Sequence, residues 1–171
     1  MVTALEEWDF KGRMAVKVED DPDASGQLNV IWAQARDISQ IRLSGPFGAG
    51  AWSLLWEPER VSVTDAKGER SIEYTGPDAA ADFMHAELGW EFPADSLRYW
   101  VRGLPDPSSM PVLRWSDAGT LEGLQQHGWE IAYTRYGNFD DLLLPTRITI
   151  EGRGVRIRMV ISKWQFDSVA G

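Results

Sequence analysis

The sequence predicts a mainly β fold of the α+β class, an incomplete, unclosed antiparallel β-barrel with helices forming a lid or plug over a hydrophobic cavity. Three observations support this prediction. Apolar side chains alternate with polar ones in most segments, tight-turn residues separate those segments, and two amphipathic helical patterns lie near the middle of the chain. Such short strands are typical of an antiparallel sheet, and the helical stripes fit its concave side. We expect residues 1–171 to form a single domain.

The first half of the chain carries most of the strand patterns. The first runs from Phe10 to Val18, where apolar residues and glycine occupy the even positions. Four shorter patterns follow, and a turn over 65–68 predicts a hairpin into a strand over 71–74. The alternating apolar residues of those four patterns are Leu28, Val30 and Trp32; Ile41 and Leu43; Trp52, Leu54 and Trp56; and Val61 and Val63.

One of the connections between these strands is Gly45-Pro46-Phe47-Gly48-Ala49-Gly50. Glycine and proline favour a tight loop over a helix or a central strand, so we expect the Phe47 ring at its tip to meet solvent. Burying a Phe side chain is worth roughly 1.5–3 kcal/mol. A Phe at this position is therefore either accidental or available to an apolar partner.

Two helices are predicted in the middle of the chain. Asp78 can cap the first helix, which we expect to end at Gly89, and Asp95 or Ser96 begins the second. Their apolar stripes are Ala80, Phe83, Met84 and Leu88 in the first, and Leu97, Trp100, Val101 and Leu104 in the second. Ordinary core packing is the alternative reading of such stripes.

Three strand patterns follow in the second half of the chain, after a turn at His127-Gly128. Their apolar residues are Trp129, Ile131 and Tyr133; Ile148 and Ile150; and Val155, Ile157, Met159 and Ile161. The chain also has nine tryptophans, and alternation turns many of them toward one concave face. That face either lines a cavity for acyl chains or other lipophilic ligands, or forms a closed core.

The charge of the chain opposes binding to nucleic acid. The net charge of −9 also disfavours anionic lipid headgroups, so we expect any membrane contact to be hydrophobic. The segment from Pro145 to the end is the exception, with five cations against two carboxylates. This basic edge either faces an acidic partner or is the solvated side of a strand.

No catalytic constellation emerges from the sequence. His85 and His127 are the only histidines and lie apart, and there is no cysteine, so we expect no metal site, no cofactor and no enzyme activity. The acidic runs at 19–23 and at Asp140-Asp141 fall in turn-like contexts and are expected to be solvated loops. No uninterrupted apolar stretch is long enough to span a bilayer as a helix.

A series of motifs runs through nearly the whole chain. In the first half they are Trp8-x-x-x-Gly12-Arg13, Trp32 with Gln34, Leu43-x-Gly45-Pro46-Phe47-Gly48 and Val63-x-Asp65-x-x-Gly68. In the second half they are Pro93-x-x-Ser96-Leu97-x-x-Trp100-x-x-Gly103-Leu104-Pro105, Gly128-Trp129-x-Ile131-x-Tyr133-x-x-Tyr136, Leu144-Pro145 and Val155-x-Ile157-x-Met159-x-Ile161-x-x-Trp164. In this order the motifs resemble the LolB family of outer-membrane lipoprotein receptors of Gram-negative bacteria.

The resemblance implies a function without nucleotide or cofactor. Proteins of this family receive triacylated lipoproteins from the periplasmic carrier LolA and deliver them to the inner leaflet of the outer membrane. Their fold is an incomplete barrel with helices over its hollow. The resemblance assigns membrane contact to the loop Gly45, Pro46, Phe47 and Gly48, with Phe47 at the position where the family commonly has Leu. We expect the protein to be a monomer at the periplasmic face of the outer membrane.

The alternation of the strands and the resemblance together define the candidate cavity and lid. The residues assigned to them are Trp32, Ile41, Leu43, Trp52, Leu54, Trp56, Phe83, Met84, Leu97, Trp100, Val101, Trp129, Ile131 and Tyr133. The family carries a lipidated N-terminal Cys after a signal peptide, and this chain shows neither, so we expect it to begin past the anchor or to be a natural unanchored variant. Three alternative functions stay open: a soluble periplasmic carrier of lipoproteins or other lipophilic ligands of the LolA type, an unrelated periplasmic or cytoplasmic binding module, and an enzyme.

Overall fold

Eleven antiparallel strands form one sheet, and the first and last strands of the chain lie side by side at its centre. The computed structural model describes residues 7–20, 26–45, 51–65, 68, 71–83, 86 and 94–166. In the first half the strands are β1 (Glu7–Val18), β2 (Gly26–Ala35), β3 (Ile38–Ser44), β4 (Trp52–Glu57), β5 (Arg60–Asp65) and β6 (Ser71–Thr75). In the second half they are β7 (Val112–Trp115), β8 (Leu121–Gln126), β9 (Trp129–Phe139), β10 (Leu142–Gly152) and β11 (Val155–Gln165).

The strand order is β6-β5-β4-β3-β2-β1-β11-β10-β9-β8-β7, so the sheet consists of two meanders joined by one long-range pairing. That pairing runs from Asp9 opposite Gln165 to Val18 opposite Val155. Within the described residues β6 and β7 are the two edges, and the sheet does not close on itself. The predicted mainly β, unclosed antiparallel architecture is confirmed.

The register of the strands collects the apolar residues on one side of the sheet, which we call the inner face. Residues directly opposite each other in antiparallel strands share a face. One row across the first meander reads Trp164, Phe10, Trp32, Ile41, Leu54, Val63 and Ile72. A row across the second reads Val16, Ile157, Ile150, Ile131, Leu124 and Leu113. The predicted alternation thus produces a continuous apolar surface over both meanders.

Tight turns connect the long strands of the second meander. His127 and Gly128 both have positive φ, as do Asp140 and Asp141, and each pair forms a two-residue hairpin loop. Two successive positive φ values match the right-handed twist of the flanking strands. The adjacent carboxylates of Asp140 and Asp141 are therefore turn residues, as the sequence predicted. Of the predicted turn before β6, Asp65 and Gly68 are described, and the Gly68 N–H donates to the Asp65 carbonyl at 3.0 Å.

Both helices are short, namely α1 (Ala79–Phe83) and α2 (Ala94–Trp100). The helix α1 begins directly after Asp78, whose carbonyl accepts the Asp82 N–H at 2.8 Å, as expected for a capping residue. Met84 and Leu88, predicted on the same stripe, lie outside the described residues. No helix in the described part of the chain has the length and apolar character needed to span a bilayer.

The end of α2 corrects the prediction that Leu104 belongs to its apolar stripe. The Leu104 N–H donates to the Tyr99 carbonyl at 3.1 Å and the Gly103 N–H to the Trp100 carbonyl at 3.0 Å, which defines a Schellman motif. Gly103 has a φ of 77°, a left-handed conformation that ends the helix before Leu104. The Trp100-x-x-Gly103-Leu104 motif is therefore a helix stop.

The sequence prediction missed β7 and β8. Every residue of β7 is exposed, so its apolar side chains show no inward and outward alternation. In β8, Leu121, Gly123, Leu124 and Gln126 are all buried. A buried glycine and a buried glutamine are not the signature of a strand, and only tertiary packing reveals this one.

Candidate functional site

Most of the predicted cavity and lid residues lie together on the inner face. Six of them are 0–4% exposed and belong to the larger of two hydrophobic clusters, namely Trp32, Trp100, Val101, Trp129, Ile131 and Tyr133. Leu54 and Phe83 belong to the smaller cluster, which α1 forms with β4 and β5. The strand residues among them share one face, as their alternation predicted, and Phe83, Trp100 and Val101 pack against that face from the helices.

Four half-buried side chains join the two clusters, and we call them the apolar belt: Ile41, Leu43, Trp56 and Ala80. Each packs against both clusters while keeping part of its surface accessible. Leu97 flanks the belt on the side of the larger cluster and Trp52 on the side of the smaller one. The belt thus consists of three large, incompletely buried side chains of the inner face, Ile41, Leu43 and Trp56, together with Ala80 of α1.

The helix α2 is fixed to the sheet by buried hydrogen bonds. The Trp100 Nε1–H donates to Gln126 Oε1 at 3.0 Å, and the Tyr133 hydroxyl donates to the Trp100 carbonyl at 2.6 Å. Burial raises the pKa of Tyr133 well above its ordinary value, so the hydroxyl keeps its proton. Trp100 has no exposed surface, and its position is set by polar geometry as well as by packing.

Gln126 is the centre of a polar network that continues beyond α2. Its Oε1 also accepts the Asp106 N–H at 2.8 Å, while its Nε2 donates to the carbonyls of Asp106 at 2.6 Å and Ser109 at 3.0 Å. The Ser96 hydroxyl donates to Asp106 Oδ2 at 2.5 Å. The network ties both ends of α2 and the segment after it to the β8–β9 hairpin.

Asp106 remains ionised within this network. Burial alone would raise the pKa of Asp106, but hydrogen bonds from the Ser96 hydroxyl, Ser108 and His127 hold it below its ordinary value. His127 Nε2 lies 3.1 Å from Asp106 Oδ2 and 3.3 Å from the Ser108 hydroxyl. A Ser-His-Asp triad uses the two different ring nitrogens, so this cluster is not a triad and its role is to anchor the chain.

The helix α1 is held differently. It packs against β5 and β6, and the rings of Phe83 and Tyr74 meet edge to face with centroids 6.0 Å apart. Ala79, Ala80 and Phe83 make its apolar contacts through the smaller cluster, whereas Ala81 and Asp82 are exposed. Unlike α2, the helix α1 has no hydrogen bond between a described side chain and the sheet. The position of α1 is therefore less constrained than that of α2.

Other polar side chains on the inner face explain residues of the sequence motifs. The Trp32 Nε1–H donates to Gln34 Oε1 at 3.0 Å, and the Ser39 hydroxyl donates to the same oxygen at 2.5 Å. The Trp164 Nε1–H donates to the Pro145 carbonyl at 2.9 Å. Sequence reasoning missed these pairs, although a glutamine two residues after an inward tryptophan is a usable signal.

Three grooves lined by described residues have volumes of about 1040, 570 and 290 Å³. The largest lies at the hairpin ends around His127 and Arg153, and charged or polar side chains line much of it. None of the three opens onto the apolar belt. Among the residues that the structure describes, no three acidic or histidine side chains converge as metal ligands would.

The predicted membrane loop is only partly described. Gly45 follows directly after β3, and its carbonyl lies 3.5 Å from the Nδ2 donor of Asn29 in β2. Pro46, Phe47 and Gly48 lie outside the described residues, as does Met84 of the predicted lid.

An open antiparallel sheet with an apolar inner face and two short helices defines a fold seen in solved structures. A LolA superfamily protein from Nitrosomonas europaea matches with a TM-score of 0.53 and 10% identity, covering 97% of this chain and 88% of that one. A putative outer membrane lipoprotein-sorting protein domain from Vibrio parahaemolyticus matches with a TM-score of 0.54 and 10% identity, over 96% and 87% of the two chains. The fold of this chain is therefore of the LolA-like class, an open antiparallel sheet.

Within this class the chain belongs to the LolB family. The family model described as outer membrane lipoprotein LolB matches residues 6–164. Outer-membrane lipoprotein LolB of Stutzerimonas stutzeri is 36% identical, over 96% of this chain and 76% of that protein. The LolB of Pseudomonas fluorescens Pf-5 is 34% identical, over 95% and 76%. The family comprises outer-membrane proteins of lipoprotein localisation and not enzymes, and the predicted resemblance is confirmed.

Proposed function

We propose that this protein is the outer-membrane receptor that takes triacylated lipoproteins from the periplasmic carrier LolA and delivers them to the inner leaflet of the outer membrane. It would hold the acyl chains of the cargo against its inner face at the periplasmic side of that membrane. Membership of the LolB family supports the receptor role, and the apolar belt is the single structural observation that supports the position of the acyl site.

The belt has the properties that an acyl-chain site needs. Its large side chains are half-buried, lie between two hydrophobic clusters, and can gain buried surface when an alkyl chain covers them. Each methylene that leaves water contributes about 0.8 kcal/mol. An exposed triacyl anchor would therefore cross water against a prohibitive barrier, and a protein that shields the chains throughout the transfer removes that barrier.

Transfer from carrier to receptor needs only a difference in affinity. Each tenfold preference for the receptor corresponds to about 1.4 kcal/mol, which a modest difference in lining or lid closure can supply. No nucleotide is required by this scheme.

The hydrophobic cavity would open by movement of α1. The described contacts of α1 with the sheet are apolar, whereas α2 is tied to the β8–β9 hairpin through Gln126 and Tyr133. Displacing α1 uncovers Leu54 and extends the belt toward Trp52. The sequence assigned gating to both helices, and these contacts favour α1 as the lid with α2 as the fixed wall.

Delivery would use the loop from Gly45 to Gly48. The Phe47 ring would enter the acyl boundary of the leaflet and bring the loaded inner face to the bilayer. We also infer that residues 1–171 form one domain, since β1 and β11 pair within the same sheet, and that the protein acts as a monomer.

Cargo transfer from lipoprotein-loaded LolA, without nucleotide, tests this function. We expect cargo to move to this protein, and Leu43→Gln in the belt to lower the transfer yield at least tenfold. Leu55→Gln is the matched control, because Leu55 is also half-buried but lies opposite Gln40 and Ser62, off the inner face.

Two outcomes would contradict the proposal. The receptor role fails if no cargo moves from the carrier. The position of the acyl site fails if the two variants, checked for equal thermal stability, transfer cargo equally well. Flotation with liposomes addresses the alternative of a soluble carrier, which would stay unbound.

A further inference from the structure

The side of the sheet opposite the inner face carries a set of cations that the register brings together. We call this set of six cations the basic face; its members are Lys11, Arg13, Arg42, Arg135, Arg147 and Lys163. One row places Arg42 opposite Ile31, Ile31 opposite Lys11, and Lys11 opposite Lys163. The next row places Arg13 opposite Val160, Val160 opposite Arg147, and Arg147 opposite Arg135. All six cations are exposed, in a chain whose net charge is −9.

These cations are not neutralised by the part of the protein that the structure describes. The ion pairs found there involve other cations, such as Arg60 with Glu73 and Arg114 with Glu122. Lys11 instead lies directly opposite Lys163, and Arg147 directly opposite Arg135. Like charges in directly opposite positions destabilise a sheet. Bound anions would relieve this repulsion, which indicates a docking surface.

The basic face adjoins the loop that is proposed to contact the membrane. Its second row continues from Arg13 to Asn29 and then to Ser44, the residue before Gly45. The Asn29 side chain is also the one that reaches the Gly45 carbonyl. The basic face is therefore continuous with Gly45, where the proposed membrane loop begins, and this continuity favours a lipid surface over an acidic protein as the partner.

The shape of the basic face supports the same choice. The six strands from β3 to β9 span about 24 Å at a spacing of about 4.8 Å. Ile31 and Val160, each 42% exposed, lie among the cations. Long cationic side chains around exposed apolar residues are suited to a headgroup layer. A depression of about 290 Å³ beside Lys11, Arg13 and Ser162 offers a place for a headgroup phosphate.

We propose that the basic face binds the anionic headgroups of a phospholipid bilayer, so that the protein docks through charge as well as through its apolar loop. This inference rests on the proposed delivery to a membrane, and it revises the expectation that membrane contact is purely hydrophobic. The negative net charge does not prevent it, because charges more than about 8 Å from the surface are screened at physiological salt.

Vesicle binding tests the inference. The vesicles contain either phosphatidylcholine alone or phosphatidylcholine with one quarter phosphatidylglycerol, at 0.1 and 0.5 M salt. The test variant is Arg13→Gln with Arg147→Gln. The matched control is Arg60→Gln with Arg114→Gln, which removes the same charge from two cations on the same side of the sheet that are already paired with Glu73 and Glu122.

We expect the wild-type protein to prefer the anionic vesicles and to lose that preference at high salt. Each cation near an anionic surface contributes about fivefold in binding, so the test variant should bind about 25-fold more weakly and the control less than twofold more weakly. Equal binding of the wild-type protein to both vesicles, or an unaffected test variant, would overturn the inference. So would a test variant that binds vesicles normally but accepts no cargo from the carrier, since the basic face would then dock a protein.

Phe47→Glu separates this inference from the proposed loop function. If Phe47→Glu weakens binding to neutral and anionic vesicles alike while the preference for anionic vesicles persists, the loop function and the role of the basic face are both supported. If Phe47→Glu has no effect and the test variant loses anionic binding, only the loop function fails.

Discussion

The polar network around Gln126 gives a quantitative prediction for the variant Gln126→Ala. The side chain is 3% exposed and makes four hydrogen bonds, two accepted and two donated. Truncation removes the oxygen that accepts from two buried donors, the Trp100 indole N–H and the Asp106 backbone N–H. An unsatisfied buried donor costs about 1–3 kcal/mol. We therefore expect the free energy of unfolding to fall by about 3–4 kcal/mol, a large share of the total stability of a domain.

Urea unfolding followed by tryptophan fluorescence measures this loss, and thermal unfolding should show a Tm lower by about 6–16 °C. The neighbouring variant Gln125→Ala is the matched control. Gln125 is exposed, so its truncation should change the stability by no more than about 0.5 kcal/mol.

The reasoning is refuted if Gln126→Ala lies within about 1 kcal/mol of the wild-type protein, because water or a local shift would then satisfy the two donors. The result also bears on the lid. If α2 were released without a stability cost, it would be as free to move as α1, and the assignment of α2 as a fixed wall would be wrong.

Three further predictions follow from other contacts. Phe47→Glu should leave folding and cargo uptake intact but abolish delivery to liposomes, and unchanged delivery would reject the role of the loop. Gly103→Ala should cost about 1–2 kcal/mol in urea unfolding, because Gly103 has a φ of 77° and an added Cβ would lie 3.2 Å from Pro145 Cγ. The pKa of Asp106 is lowered, so its contribution to stability is present above the unfolded-state pKa and is lost as pH falls toward the folded-state value. In the Asp106→Asn variant the loss of stability between pH 5 and pH 3 should therefore be smaller. An unchanged slope of stability against pH would contradict this prediction.

The sequence was sufficient to predict the antiparallel sheet and which side chains of a strand share a face, but not which of the two faces points inward. The alternation has a period of two from Trp8 to Val18 in β1, from Trp129 to Tyr133 in β9 and from Val155 to Ile161 in β11, and a one-residue slip would turn each apolar set to solvent. Residues such as Trp32 and Ile131 could therefore be grouped with the apolar residues of their own strand without knowing their neighbours. The sequence did not reveal β7 and β8, because an exposed edge strand and a strand with buried Gly123 and Gln126 lack that alternation.

The polar network and the basic face were beyond sequence reasoning for a different physical reason. Ser96, Asp106 and Gln126 meet only through the packing of α2 on the β8–β9 hairpin. Lys11 and Lys163 are far apart in sequence, and only the pairing of β1 with β11 makes them neighbours. Net charge describes the chain as a whole and cannot show how register segregates its charges.

The central pairing of β1 with β11 has a consequence for how this chain acquires its structure. The Ser162 hydroxyl donates to the Lys11 carbonyl across 151 residues, so some native contacts form only after both ends of the chain are available. Contacts between distant segments slow folding, because a long loop must be ordered first. Until β11 arrives, β1 and β10 would each present an unpaired, aggregation-prone edge. A chain secreted unfolded would therefore depend on a holding factor until its last strand has crossed the inner membrane.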